Sequence, residues 1–181
     1  MLAVLPDTSA GPAVRDIFKK IALDINNLVR EIKGIAHSLF PTALTLLGLP
    51  QTLRQLVSNT ETTSTSITFS TYGLADDLIE PAASLTFYRV AQVSLDNVIK
   101  HARAKIASVR LENNDAYTRL IISDDGIGFD ASRLQRANQG MGLRNMKERM
   151  EELDGTLEIK SSSEGTTIVA TLPKTSRPPT S

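Results

Sequence analysis

The sequence predicts an α+β fold, in which helices lie against a mixed, mainly antiparallel sheet and a long helix precedes them. Apolar residues from Val14 to Leu39 recur at alternating spacings of four and three residues, which is typical of a coiled coil or helix bundle. Residues 81–102 carry a second helical spacing, and alternating apolar positions mark the short segments around them. Helices and strands segregated in this way form a two-layer sandwich.

The long helix is predicted over residues 12–40, after an N-terminal extension of residues 1–11. Pro12 suits its first turn, and Pro41 ends it. Further apolar residues widen the heptad stripe, so more than one neighbouring helix is expected to pack there. We interpret residues 14–39 as a dimer interface. The alternative is that this helix folds back on the downstream domain.

The domain itself is predicted over residues 41–173, before a disordered tail at 174–181. Its first helical stretch, residues 41–60, is broken at Gly48–Pro50. Later helices are predicted at 81–102, 132–137 and 143–153. Strands are predicted at 67–72, 107–112, 117–123, 156–161 and 166–172. The glycine-bearing segments 124–130 and 138–142 are predicted as loops.

Composition excludes several classes of function. The 181 residues carry 20 basic and 20 acidic side chains, so no basic excess indicates nucleic acid or an acidic membrane as a direct partner. The absence of cysteine excludes a disulfide framework, a thiolate metal site and a cysteine nucleophile. The uncharged run 34–53 contains Pro41 and Pro50, so it does not predict a membrane span. We therefore expect a soluble, intracellular chain.

Two segments carry polar side chains that could bind a ligand, one on a predicted helix and one at the end of a predicted strand. Asn97, Lys100 and His101 stand at i, i+3 and i+4 of a predicted helix, where side chains share a face. An amide oxygen can bind a hard cation, and lysine and histidine can contact phosphate. Asp124 ends a predicted strand and begins the pattern D-x-G-x-G with Gly126 and Gly128. Each segment alone is equally compatible with a solvated helix face or a tight turn.

Two glycine segments complete the set. Gly140 and Gly142 flank one residue just before a predicted helix, whose N-terminal N–H groups form a natural phosphate site. Gly165–Thr166–Thr167 lies at a predicted hairpin turn. A flexible connector and an ordinary turn would explain these two segments if they stood alone, but the order of the four segments is far more specific.

In that order they resemble the N, G1, G2 and terminal G-T boxes of the GHKL ATPase superfamily, which includes gyrase-type, Hsp90-type and histidine-kinase ATP-binding domains. Gln92–Ala102 is similar to the Q-E-A-L-T-N-x-x-K-H-A of its nitrate-sensor (NarX-like) histidine kinases, and Gly142–Arg149 to their G-L-x-x-M-x-E-R. Phe40–Leu44 and Leu47–Leu49 look like their junction between dimerisation helix and ATPase domain. The resemblance covers residues 14–173.

The resemblance implies a Bergerat-type GHKL fold that binds ATP and Mg²⁺. It implies that Asn97 ligates Mg²⁺, that Lys100 and His101 face the phosphates, and that Asp124 binds the adenine amine. It implies further nucleotide contacts at Gly126, Gly128, Gly140, Gly142, Leu143, Thr166 and Thr167. Residues 133–142 would form the ATP lid, and residues 12–40 would be part of the second dimerisation helix.

The implied function is the catalytic domain of a two-component sensor histidine kinase, with a homodimer and a response regulator as its partners. Its location would be cytoplasmic, either free or as the cytoplasmic portion of a membrane-anchored sensor. One departure is Val93, which occupies the position of the family's glutamate and can neither ligate nor accept a proton. The other is that no L-H-D phosphoacceptor motif is present, and His37 is interpreted as a surface or interface residue.

These departures leave the enzyme assignment open between two main hypotheses. One is an active histidine protein kinase, and the other is a pseudokinase that dimerises and docks partners with little or no phosphotransfer. A gyrase-type or Hsp90-type ATPase is a third, weaker interpretation. It also depends on a glutamate at position 93, so Val93 argues against hydrolysis as well.

Overall fold

A computed structural model of the chain describes residues 42–73, 79–129 and 141–174. The predicted long helix at 12–40, the extension at 1–11, the short helix at 132–137 and nearly all of the predicted tail lie outside these residues. Residues 41–181 form a compact unit separate from residues 1–40. Among the described helices, none has the length and apolar character needed to cross a membrane.

The described elements follow the predicted order. Helix α1 spans Thr42–Thr60, α2 spans Pro81–Asn97 and α3 spans Met141–Glu151, and a π-helical turn at Val98–Ala102 extends α2. The strands are β1 Ser66–Gly73, β2 Ile106–Asn113, β3 Tyr117–Asp124, β4 Thr156–Ser162 and β5 Gly165–Pro173. The predicted break in the first helix is present at Gly48, whose φ of 73° is not helical.

The five strands form one sheet in the order β1-β2-β3-β5-β4. The β1–β2 pair is parallel, because α2 crosses between them, and the other three pairs are antiparallel. Residues on β2, β3 and β5 alternate between buried and more exposed positions. Because successive side chains of a strand point to opposite faces, this alternation shows that one face of the sheet is buried, as the α+β prediction requires.

The core lies between that buried face and the helices. Helix α2 supplies Phe87, Val90 and Leu95, and helix α3 supplies Met146 and Met150, all at most 2% exposed. These side chains pack with Val109, Leu120, Ile122, Ile168 and Ala170 from the sheet. Burial of each of the larger side chains in this set stabilises the fold by about 1.5–3 kcal/mol before conformational entropy is counted. The core therefore holds α2 against β3 and β5, and α3 against α2, β4 and β5.

Candidate functional site

A cavity of about 330 Å³ opens where α2, the π turn, the sheet and α3 meet. Its volume falls at the lower end of the range for small-molecule sites, about 300–1,000 Å³. Its lining is mostly apolar with a few polar groups. The lining residues are Ser94, Asn97, Val98, His101, Ala102, Ile122, Asp124, Gly128, Phe129, Gly142, Leu143, Thr166 and Ile168.

Asp124 is the carboxylate in the lining, at the last position of β3. Its Oδ1 accepts the N–H of Gly126 at 2.9 Å. Burial raises the pKa of Asp124 above the usual 3.8, although backbone hydrogen bonds from Gly126 and Thr166 oppose the rise. A half-buried carboxylate held by backbone donors on one side can accept a further hydrogen bond from a ligand amine.

The loop after Asp124 is held against the rest of the domain by close backbone contacts. Asp125 Oδ1 accepts the N–H groups of Lys105 and Ile106 at 2.8 and 2.9 Å, and these bonds lower the pKa of Asp125. A Cβ built at Gly126 would lie 2.4 Å from the Ala102 carbonyl oxygen. Glycine at this position therefore allows the loop to pack directly on the π turn.

Gly128 is the second special position in this loop. Its φ is +59°, and a Cβ there would lie 1.9 Å from the Ser162 carbonyl oxygen. The next residue, Phe129, donates its N–H to Ser161 Oγ at 2.9 Å. The D-x-G-x-G pattern thus serves close backbone packing, and this packing places Gly128 and Phe129 in the cavity wall.

The π turn separates two neighbouring polar side chains, Lys100 and His101. Asn97 and His101 line the cavity, whereas Lys100 is not among the lining residues and its Nζ lies 2.7 Å from Asp96 Oδ2. A π turn closes i→i+5 hydrogen bonds, so each residue rotates less than the ~100° of an α-helix. The four residues from Asn97 to His101 therefore complete nearly one full turn about the axis, so these two side chains point in the same direction. Lys100, one residue earlier, points to a different side. The sequence predicted one shared face for all three residues.

Helix α3 begins at Met141, two residues earlier than predicted, so Gly142 lies in its first turn and not in a loop. Gly142 and Leu143 line the cavity. Val93 lies behind them, because a Cβ at Gly142 would approach Val93 Cγ1 to 3.1 Å. Val93 is partly buried against the core and is not among the lining residues.

The strand register distinguishes the two candidate threonines of β5. Thr166 is 8% exposed, pairs in register with Asp124 and lines the cavity. Thr167 points to the opposite face of the sheet, where its Oγ1 lies 3.0 Å from Ser123 Oγ. The alternation of side chains along a strand forces this difference between neighbours.

Seven of the predicted site residues therefore meet at one cavity, namely Asn97, His101, Asp124, Gly128, Gly142, Leu143 and Thr166. Lys100, Gly126 and Thr167 do not line it, and Gly140 lies outside the described residues. The lining also includes Ser94, Val98, Ala102, Ile122, Phe129 and Ile168, which the sequence did not single out. Strand alternation from Asp124 and Thr166 would have indicated Ile122 and Ile168.

Residues 82–176 match the family of histidine kinase-, DNA gyrase B- and HSP90-like ATPases. This match spans the cavity-lining residues together with the helices and most of the strands around them. The chain belongs to this ATPase family. Membership confirms the predicted superfamily and supports the predicted binding of ATP.

The relatives of this ATPase domain include sensor histidine kinases. It is 36% identical to the sensor histidine kinase MctS of Rhizobium johnstonii over 94% of this chain and 39% of that protein. It is 34% identical to the histidine-protein kinase/phosphatase DegS of Bacillus subtilis over 74% of this chain and 36% of that protein. The chain thus spans well under half the length of these relatives. The predicted resemblance to sensor histidine kinases is confirmed.

A solved structure supports the fold of the ATPase domain. The histidine kinase domain of the blue-light activated histidine kinase EL346 of Erythrobacter litoralis aligns with a TM-score of 0.53 at 18% identity. The alignment covers 70% of this chain and 63% of that domain. The predicted α+β sandwich of the GHKL type is therefore confirmed.

Proposed function

We propose that the chain is the ATP- and Mg²⁺-binding catalytic domain of a sensor histidine kinase. The observation that carries the proposal is the meeting at one cavity of a carboxylate from the sheet, an amide and an imidazole from α2, and the N-terminus of α3. Each of these groups recognises a different part of a nucleoside triphosphate.

The sheet side of the cavity fits an adenine ring. Val98, Ala102, Ile122 and Ile168 supply apolar contacts for a flat ring. Among them the Asp124 carboxylate, oriented by the N–H of Gly126, would accept a hydrogen bond from the exocyclic amine. A base with a carbonyl in place of that amine would bind more weakly, because its oxygen would face the carboxylate oxygen and neither group could donate a hydrogen bond.

The helix side fits phosphates and a hard cation. The first turn of α3 presents N–H groups at Gly142 and Leu143, where anions are stabilised. His101 would add a donor to a phosphate oxygen, and the amide oxygen of Asn97 suits Mg²⁺. The described residues hold no cluster of three or more acidic, histidine or cysteine side chains, so phosphates and water would complete the coordination of Mg²⁺.

When bound, Mg-ATP would supply the γ-phosphoryl group, and positioning with charge stabilisation would account for most of the catalysis. In this chain Asp124 orients the base, while His101 and α3 hold the phosphate end. Transfer to a histidine also needs the acceptor to lose its proton, and Val93 cannot take it. The acceptor would come from another part of a longer protein, because the sequence given contains no acceptor motif.

A second function, a pseudokinase that binds nucleotide and docks partners, is favoured by one specific contact. Val93 lies against Gly142 and outside the cavity lining, so it packs the first turn of α3 onto α2. A valine at position 93 can therefore stabilise the packing of α3 on α2 in a domain that binds nucleotide but does not transfer phosphate.

The wider assembly follows from the histidine kinase hypothesis. Residues 14–39 would form a homodimer through their heptad seam, and a response regulator would receive the phosphoryl group. The domain would work in the cytoplasm, and any membrane anchor would belong to other parts of a longer protein.

The deciding experiment measures Mg-ADP and Mg-ATP binding by calorimetry in the wild-type chain and in Asp124→Asn. We expect Asp124→Asn to lose about tenfold or more in affinity, because a hydrogen bond to a charged group is lost. The matched control is Asp115→Asn, in an exposed turn, which should bind like the wild type. No nucleotide binding by the wild type would overturn both functions.

Phosphotransfer then separates the two functions. The full chain is incubated with Mg-ATP and an acceptor-bearing fragment from a relative supplied in trans. Transfer that depends on Asp124 supports the active kinase, and tight binding without transfer supports the pseudokinase.

A further inference from the structure

Three polar side chains form a row across adjacent strands, which runs from the cavity to just outside its lining. Ser161 on β4 pairs in register with Thr166 on β5, and Thr166 pairs in register with Asp124 on β3. Residues directly opposite in a sheet point to the same face. Ser161 is partly buried and lies just outside the cavity lining, whereas the other two residues form part of that lining.

Ser161 makes hydrogen bonds to two parts of the cavity wall. Its Oγ accepts the N–H of Phe129 at 2.9 Å, and it lies 2.9 Å from Thr166 Oγ1. One hydroxyl therefore connects the loop after Asp124 to the β4–β5 hairpin. Phe129 and Thr166, which it holds, both line the cavity.

Either hydroxyl can donate in the Ser161–Thr166 bond, and the Phe129 contact favours donation by Ser161. Accepting the Phe129 N–H polarises the Ser161 hydroxyl and makes it a stronger donor, since linked hydrogen bonds reinforce each other. We take Ser161 as the donor to Thr166 Oγ1, which leaves the single proton of the Thr166 hydroxyl to point into the cavity.

This arrangement places a hydrogen-bond donor, the Thr166 hydroxyl, beside a hydrogen-bond acceptor, the Asp124 carboxylate. Thr166 offers a proton next to the Asp124 carboxylate, and its own N–H steadies that carboxylate. A ligand edge that matches this pair carries an amine next to a bare ring nitrogen. On the proposed function, that edge is the exocyclic amine and N1 of adenine.

We propose that Ser161 is a positioning residue for nucleobase recognition, which orients the Thr166 hydroxyl towards N1 while holding the Phe129 loop. This inference rests on the proposed function and deepens it. Ser161 itself touches no ligand and acts through Thr166 and Phe129.

The test compares ADP with 1-deaza-ADP, in which N1 is replaced by C–H, in the full chain of the wild type and of Ser161→Ala. We expect the wild type to prefer ADP by about tenfold, the value of one hydrogen bond left unmade. In Ser161→Ala, ADP should bind about tenfold more weakly and the analogue much less so, so that the preference falls towards one. The matched control is Ser162→Ala, on the same strand with an exposed side chain, which should keep the wild-type preference.

Two results would overturn the inference while leaving the proposed function intact. One is Ser161→Ala with the wild-type preference for ADP, whether its affinities are unchanged or equally weakened. The other is a wild type that binds both ligands equally. No binding of ADP by the wild type would instead refute the proposed function. If Ser161→Ala does not fold, Ser161→Cys, with only a weak thiol donor, carries the same comparison.

Discussion

Val93 supports the first turn of helix α3 through Gly142, whose Cβ, if built, would lie 3.1 Å from Val93 Cγ1. The position to which the sequence resemblance assigns a glutamate is thus occupied here by a valine that packs α2 against α3. A glutamate would have to leave this packing and turn towards the cavity, where Asn97 lies four residues further along the chain. The consequence for transfer chemistry can be measured directly.

Val93→Glu should raise phosphotransfer to an acceptor fragment by about 10²-fold or more, the usual contribution of a positioned general base. Transfer from radiolabelled Mg-ATP measures it, with ADP affinity as the reference for correct folding. Val93→Gln has nearly the same shape without a basic carboxylate and should not raise the rate. Equal rates for the glutamate and glutamine variants would contradict a missing base at position 93.

ADP affinity should rise with pH through the range above 3.8, where Asp124 titrates. Burial raises the pKa of this carboxyl, and its protonated form is a poorer acceptor for the adenine amine. Because the pKa of Asp124 is higher in the folded state than in the unfolded chain, the folded state keeps this proton to a higher pH. The free energy of unfolding contributed by Asp124 therefore falls as pH rises from the unfolded-state pKa to the folded-state pKa. Calorimetry across the acidic range measures the affinity. In Asp124→Asn this rise should disappear, and a rise that persists would assign it to another group.

His101→Ala should weaken Mg-ATP binding by about tenfold, because His101 lines the cavity and can donate to a phosphate. Lys100→Ala should cost less than about threefold in Mg-ATP affinity, since Lys100 does not line the cavity and its exposed charge is paired with Asp96 and screened by solvent. Titration of both variants under the same salt conditions makes the comparison. A larger loss for Lys100→Ala would mean that Lys100 leaves Asp96 to contact the phosphates.

Gly128→Ala should destabilise the domain by about 2 kcal/mol or more, since its Cβ would meet the Ser162 carbonyl at 1.9 Å in a left-handed conformation. Gly48→Ala is the matched control. Its φ of +73° and ψ of 171° also form a conformation that favours glycine, but its Cβ would meet only Pro50 Cδ at 3.8 Å, so it should cost about 1–3 kcal/mol through the backbone alone and less than Gly128→Ala. Urea unfolding measures both variants, and equal losses would show that backbone conformation alone, and not the contact, requires glycine 128.

Deletion of residues 1–40 should convert a dimer into a folded monomer, because the heptad seam lies within that segment. Residues 41–181 form a compact unit separate from it. Light scattering after size-exclusion chromatography gives the mass. A dimer that survives the deletion would place the interface in the ATPase domain.

The sequence by itself determined the element order, the sandwich fold and the main site segments. Apolar spacing predicted α2 and the strands because side-chain periodicity directly reflects which face is buried. The glycine patterns after Asp124 and before α3 predicted where backbone and ligand come close. Both signals lie within short windows of the chain, and this locality makes them readable without a structure.

The tertiary structure alone decided which neighbours share the cavity. Helical spacing could not show that a π turn takes Lys100 away from Asn97 and His101. Local alternation could not choose between Thr166 and Thr167, because the choice depends on pairing with Asp124 across the sheet. The role proposed for Ser161 likewise depends on the register of β4 against β5. These relationships join residues that are distant in sequence, and packing and strand register set them.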